Sequence, residues 1–129
     1  MENGYSAKIV EASHEFSAKE RIALKDIRNA TSLDVAVEPG VPMVITPDKY
    51  AVVEIHNDKA KGDKDYTKYV IIDKGGNKFY TGSASFYRSF KEIWDEMKQE
   101  AADEEFVIEC YKTESKNFPG KYFISCSIV

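Results

Sequence analysis

The strongest pattern in the chain is a stripe of large apolar residues. Phe86, Phe90, Ile93, Trp94 and Met97 fall at i, i+4, i+7, i+8 and i+11, which is one face of a helix. The spacing predicts a helix over about 84–100, with Ser83 or Ser85 as its N-cap. Around it the period changes to two. Tyr50–His56, Lys68–Asp73, Lys78–Gly82, Glu105–Lys112 and Lys121–Val129 are rich in β-branched and aromatic residues and read as strands. Lys74-Gly75-Gly76-Asn77 between the second and third of these is a hairpin signature, and long polar loops run through Asn57–Thr67 and Thr113–Gly120.

The first half is less regular. Ala7–Ala12 suits a short strand. Ser17-Ala18-Lys19-Glu20 has the form of a capping box, with Phe16 placed to staple the turn. Ile22, Ala23 and Ile27 follow at helical spacing, so a helix over roughly 18–28 is expected, with a strand meander as the competing reading. Pro39, Pro42 and Pro47 then interrupt regular structure, leaving Val41–Thr46 as an edge strand.

From Tyr50 the order is strand, long loop, strand, hairpin, strand, helix, strand, loop, strand. This is the connectivity of the OB-fold, a five-stranded Greek-key barrel with a helix between its third and fourth strands. That fold grips oligonucleotides or oligosaccharides with its second and third strands and its first-to-second and fourth-to-fifth loops. The expectation is therefore one mainly β domain over 1–129 with one or two helices. Residues 50–129 form the barrel, and residues 1–49 are an N-terminal extension that packs on it or completes it.

Composition narrows the setting. The chain is 43% hydrophobic and 31% charged, a globular balance, and no apolar run approaches the ~18 residues of a membrane span. The N-terminus lacks the basic and apolar segments of a secretory signal, so a cytoplasmic protein without membrane contact is expected. Cys110 and Cys126 lie in apolar strand-like runs and read as buried free thiols.

Net charge is −4, but it is unevenly spread. Residues 59–78 carry 6 lysines against 3 aspartates, and residues 112–129 carry 3 lysines against 1 glutamate. These two basic stretches coincide with the loops and strands that bind ligands in OB-folds. In the first, Lys59, Lys61, Lys64, Tyr66 and Lys68 are suited to following a phosphate backbone and stacking a base, unless Asp58, Asp63 and Asp65 simply neutralise a solvated loop. With Asp73 opposite Lys78 and Ile71 opposite Tyr80, one hairpin face would carry Tyr69, Ile71, Tyr80 and Lys78, and the other Val70, Ile72, Phe79 and Thr81 as barrel interior. The second stretch offers Lys112, Lys116, Phe118 and Lys121, and Phe118 is an aromatic on a turn with little core to join. Strand alternation points Phe106, Ile108, Cys110, Tyr122, Ile124, Cys126 and Ile128 inward, and Tyr111 and Phe123 outward. Trp94 belongs to the core. The acidic outer helix face (Glu92, Asp95, Glu96, Glu100, Asp103) should repel phosphate and mark the side away from the ligand.

Enzymatic readings find no support in the sequence. His14 and His56 lack partners at metal or triad spacing, and neither cysteine has a nearby histidine. There is no phosphate-cradling glycine loop. No catalysis, metal or cofactor is expected.

The stretches VVEIHNDKAKGDKDYTKYVIIDKGGNKFYTGSASFYRSFKEIWDEM and FVIECYKTESKNFPGKYFISCSIV resemble small single-stranded DNA-binding proteins encoded by bacteriophages and prophages of Gram-positive bacteria. The likeness rests on a hairpin ending in YTGS before an aromatic-rich helix, then SKN-x-x-GK-x-F before the last strand, and covers roughly residues 50–129. It implies an OB-fold protein that coats unwound DNA, or RNA, during phage replication or recombination, alongside other replication proteins. Lys116, Phe118, Lys121 and Phe123 match its last-loop pattern, and Tyr80 its third-strand aromatic. The chain closes on SCSIV, so recruitment of partners through an acidic tail of the bacterial housekeeping type is not expected. The competing function is an OB-type module that binds a protein through its acidic helix.

Overall fold

A computed structural model describes residues 4–59, 61–100 and 104–129. It is mainly β, with eleven elements in the order β1 (Tyr5–Ala12), α1 (Ala18–Lys25), β2 (Thr31–Ser32), α2 (Leu33–Ala36), β3 (Met43–Ile45), β4 (Pro47–Asn57), β5 (Asp65–Asp73), β6 (Lys78–Thr81), α3 (Ala84–Glu100), β7 (Ile108–Glu114) and β8 (Tyr122–Ile128). No helix among the described residues is long and apolar enough to cross a membrane. Among the described residues the helices number three, not one or two, α2 being a single turn that the sequence pattern did not reveal.

Local chemistry accounts for the helix starts. Ser17 accepts from the Glu20 amide while the Glu20 carboxylate accepts from the Ser17 amide, and Phe16 is buried beside them. α1 stops at Lys25 because Asp26 is extended. Ser83 Oγ accepts from the Phe86 amide at 3.2 Å and opens α3. Phe86, Phe90 and Trp94 then bury one face of that helix.

The strands form two sheets, in the orders β1-β4-β5-β6-β2 and β3-β7-β8. They are not closed into a barrel, so the expected five-stranded closure is replaced by two sheets packed over a common core. That core takes Tyr50 and Ile71 from the first sheet, Ile45, Ile108, Cys110, Ile124 and Cys126 from the second, and Phe86, Phe90 and Trp94 from α3. Trp94 meets Tyr50 edge-on at 5.1 Å and Phe106 at 5.8 Å. A second, smaller core fills the other face of the larger sheet, where Phe16 and Leu24 cover Ala51, Val53, Ile55 and Val70.

Two joints connect the sheets. At one, β3 and β4 are nearly a single strand, with Met43–Ile45 paired to β7 and, beyond Thr46, Pro47–Asn57 paired to β5. At the other, Thr31 and Ser32 pair in parallel with Phe79 and Tyr80. Asp34 on α2 then accepts from Thr81 Oγ1 through its side chain at 2.8 Å and from Lys112 Nζ through its carbonyl. Asp34 thus ties α2 to the end of β6 and to Lys112 of β7, and α2 packs against β8 as well.

The β5–β6 hairpin departs from the expected register by one residue. Tyr69 lies opposite Thr81, Val70 opposite Tyr80, Ile71 opposite Phe79 and Ile72 opposite Lys78. Asp73 causes this. Its amide bonds to the Asn77 carbonyl, and its Oδ1 accepts from Gly75 and Asn77, with Gly76 left-handed at φ 86°. The loop therefore has three residues, and the slip reverses which β5 side chains share a face with each β6 side chain.

Candidate nucleic-acid interface

The register decides which aromatics are available. Tyr69, expected beside Tyr80, shares its face with Ile71, Phe79 and buried Thr81, and stacks on Tyr87 of α3 at 4.5 Å and 11°. The Tyr87 hydroxyl donates to Glu11, and burial with that bond raises its pKa. Phe79 and Thr81 do face the core as expected, whereas Val70 and Ile72 belong to the second core with Tyr80.

On that second face Tyr66, Lys68 and Tyr80 form one cluster. The Lys68 ammonium lies 5.1 Å from the Tyr80 ring centroid and 5.6 Å from that of Tyr66. Both rings are half-buried, with their inner edges against the core beneath α1. Gly82 leaves space here, since a Cβ on it would sit 3.8 Å from Lys68 Nζ. Lys78 is engaged elsewhere. Its ammonium donates to the carbonyls of Ala23 at 2.5 Å and Asp26 at 2.9 Å, closing the C-terminal end of α1.

The β4–β5 loop is held at its base by His56. Its Nδ1 lies 2.7 Å from Asp65 Oδ1 and its Nε2 lies 2.7 Å from Asp58 Oδ1, so the Asp65 bond first and the Asp58 bond second raise its pKa. Sequence reading treated His56 as isolated, and only the β4–β5 register, with His56 opposite Asp65, reveals the role. Above this clasp Lys59 and Lys61 are exposed, and Lys64 donates to the Asp58 carbonyl at 2.5 Å.

The β7–β8 hairpin holds the second group. Phe118 is 62% exposed at the turn, with the Lys121 ammonium 5.8 Å from its ring centroid. Lys116 is exposed on the same turn. Thr113 opposite Phe123 and Tyr111 opposite Ser125 put Tyr111 and Phe123 diagonally on the outer face of the sheet. Phe123 is 48% exposed, and the Tyr111 hydroxyl bonds to Ser127 Oγ at 3.1 Å. Phe106, Ile108, Cys110, Ile124 and Cys126 point inward as expected, but Tyr122 and Ile128, at the ends of β8, are about half exposed. The two thiols face each other across β7 and β8, free and buried, and burial pushes both up to about 12. Glu92, Asp95, Glu96 and Glu100 are exposed along α3, with Asp95 paired to Lys91, and Asp103 lies outside the described residues.

The arrangement is thus two lysine–aromatic clusters on separate sheets. One is Tyr66–Lys68–Tyr80 with the β4–β5 loop, and the other is Phe118–Lys121 with Lys116 and Phe123. Among the described residues no group of histidine, cysteine or carboxylate side chains is arranged to hold a metal. No protein-family model, curated protein or solved structure matches the chain.

Proposed function

We propose that this protein binds single-stranded DNA with little sequence preference, covering unwound strands during phage replication or recombination. The observation that carries the reading is the exposed Phe118 ring with the Lys121 ammonium beside it and Lys116 on the same turn. A stacking surface next to a phosphate-binding charge is what an unpaired nucleotide requires, and each stacked base contributes roughly 1–3 kcal/mol. Tyr80 and Tyr66 around Lys68 repeat the combination on the other sheet.

The OB reading belongs to the same proposal. Its support is the chain order from β4 to β8, with α3 between β6 and β7, and the strand run 43–57 that bends from one sheet into the other. In this reading β2 and α2 occupy the seam where a closed barrel would join its third and fifth strands.

A titration of fluorescent oligo-dT at two salt concentrations, with duplex of equal length as competitor, tests the function. Expected are a log–log salt slope of about −0.7 per phosphate engaged and a clear preference for the single strand. Absence of binding, or equal competition by duplex, refutes the reading. The acidic face of α3 would then make a protein partner the better explanation.

A further inference from the structure

The smaller core has a groove at its margin. Ala7 of β1 and Ile27, just beyond α1, both pack against that core, and both line a groove of about 810 Å³ between β1 and the C-terminal end of α1. This size lies within the roughly 300–1,000 Å³ of sites that hold small organic groups. Tyr5 and Ile22 complete the apolar wall. α1 buries Leu24, yet Ile22 on the same helix is 69% exposed. Lys25 and Arg28 line the groove as well.

Tyr5 joins this groove to the Tyr66–Lys68–Tyr80 cluster. Ala7 pairs with Ile55, and Ile55 with Tyr66, so by strand alternation Tyr5 shares the face that carries Ala7 and Tyr66. Burial first, Tyr66 second and Asp26 third raise the Tyr5 pKa, which sets the ring between the cluster and the end of α1. The charge here favours an anion. Asp26 is the one carboxylate lining the groove, and Arg28 occupies it with Nε at 2.9 Å, Nη2 at 2.8 Å and its own amide at 3.1 Å. The same bonds hold the guanidinium in a fixed plane while the Arg28 side chain stays 86% exposed. Lys25 has no carboxylate partner among the described residues.

We propose that the groove between α1 and β1 is a further nucleotide subsite, an inference that rests on the single-stranded DNA reading above. A base turned out of the strand lies against the Tyr5 ring and the Ile22 and Ile27 side chains, and its phosphate meets Lys25 and Arg28. A flat ring beside an apolar wall, with cations at hand, matches a base that carries an anion. An apolar protein segment would use the wall and leave the Lys25 charge unmatched. The strand then crosses the sheet face from Tyr80 and Lys68 through Tyr66 to Tyr5. Residues 5–28, which precede the strands of the OB reading, thereby take a direct share in binding.

Titration of fluorescent oligo-dT at two salt concentrations tests the groove, on the parent chain and on Tyr5→Ala, Tyr5→Phe, Lys25→Gln and Phe118→Ala, each at matched folded fraction. Tyr5→Ala should bind about 5- to 150-fold more weakly at the parent salt slope. Tyr5→Phe keeps the ring and should bind like the parent. Lys25→Gln should make the slope shallower by about 0.7 with the melting temperature unchanged, and it decides the matter if Tyr5→Ala fails to fold. Parent affinity in Tyr5→Ala, a Tyr5→Phe variant as weak as Tyr5→Ala, or the parent slope in Lys25→Gln overturns the subsite. If Phe118→Ala is weakened in that same series, the DNA reading stands without the groove, which is then left to a protein partner. A parent chain that does not bind oligo-dT overturns both.

Discussion

Replacing Phe118 with alanine separates binding from folding more cleanly than any other single change. The ring of Phe118 is 62% exposed, and the Lys121 ammonium lies 5.8 Å from its centroid. An exposed cation–π contact contributes about 0.5–1 kcal/mol, so folding stability should fall by no more than that. If a base stacks on the ring, losing it weakens binding by about 1–3 kcal/mol, or roughly 5- to 150-fold in Kd at 1.4 kcal/mol per tenfold. Stacking releases no counterions, so the salt slope should stay at its parent value. Fluorescence anisotropy with oligo-dT at two salt concentrations, beside thermal melts of both proteins, measures all three quantities. Parent affinity in the variant refutes the assignment of Phe118 as a stacking platform.

Lys61→Ala and Lys116→Ala should each make the salt slope shallower by about 0.7, with little change in melting temperature; a shift only for Lys116 would remove the β4–β5 loop from the DNA path. Trp94→Ala truncates the packing against Tyr50, Phe90 and Phe106 and should cost ~3–5 kcal/mol of stability in urea denaturation. A cost under ~1 kcal/mol would contradict a core role for this residue. The His56 clasp has a defined pH sense. Because its folded pKa is raised, its stabilising contribution is complete below the unfolded value near 6.5 and fades as pH rises through the folded value. An NMR titration should show His56 deprotonating above the free-histidine range, and the β4–β5 loop amides should exchange faster beyond that point. A His56 pKa at or below the free value would show that Asp58 and Asp65 do not hold it.

Elements with local causes were legible in the sequence. The stripe from Phe86 to Met97 and the Ser83 cap locate α3 at 84–100, and the Ser17–Glu20 box starts α1. Core alternation could be read wherever a strand lies well inside a sheet, as at Ile108, Cys110, Ile124 and Cys126. It failed at Tyr122 and Ile128, where the strand outruns its cover. The hairpin failed for a different reason. Gly75-Gly76 signals a turn but not its length, and the Asp73 side chain selects three loop residues. A single-residue slip was enough to carry Tyr69 from the expected binding strip to Tyr87. The contacts that engage Lys78 and Lys112 lie with Asp26, 52 positions away, and Asp34, 78 positions away, and no periodicity reports such pairs. Sheet closure was equally out of reach, because β2 and α2 are too short to leave a pattern.

The strand run 43–57 serves two sheets, and this governs how the molecule comes apart. Ile45 and Tyr50 belong to one core, but they are hydrogen-bonded into different sheets, with only Thr46 between the two strands. Opening either sheet pulls on the same stretch of backbone, so the two sheets are expected to open together. Amides of β3 and of central β4 should therefore exchange through a common, global opening, although β3 is only a three-residue edge that would ordinarily fray. A fragment starting at residue 50 would lose β1, α1, β2, α2 and β3 together. It would expose the flanks of β4 and β7 as fresh pairing edges, and would be expected to aggregate rather than fold as a smaller version of the protein.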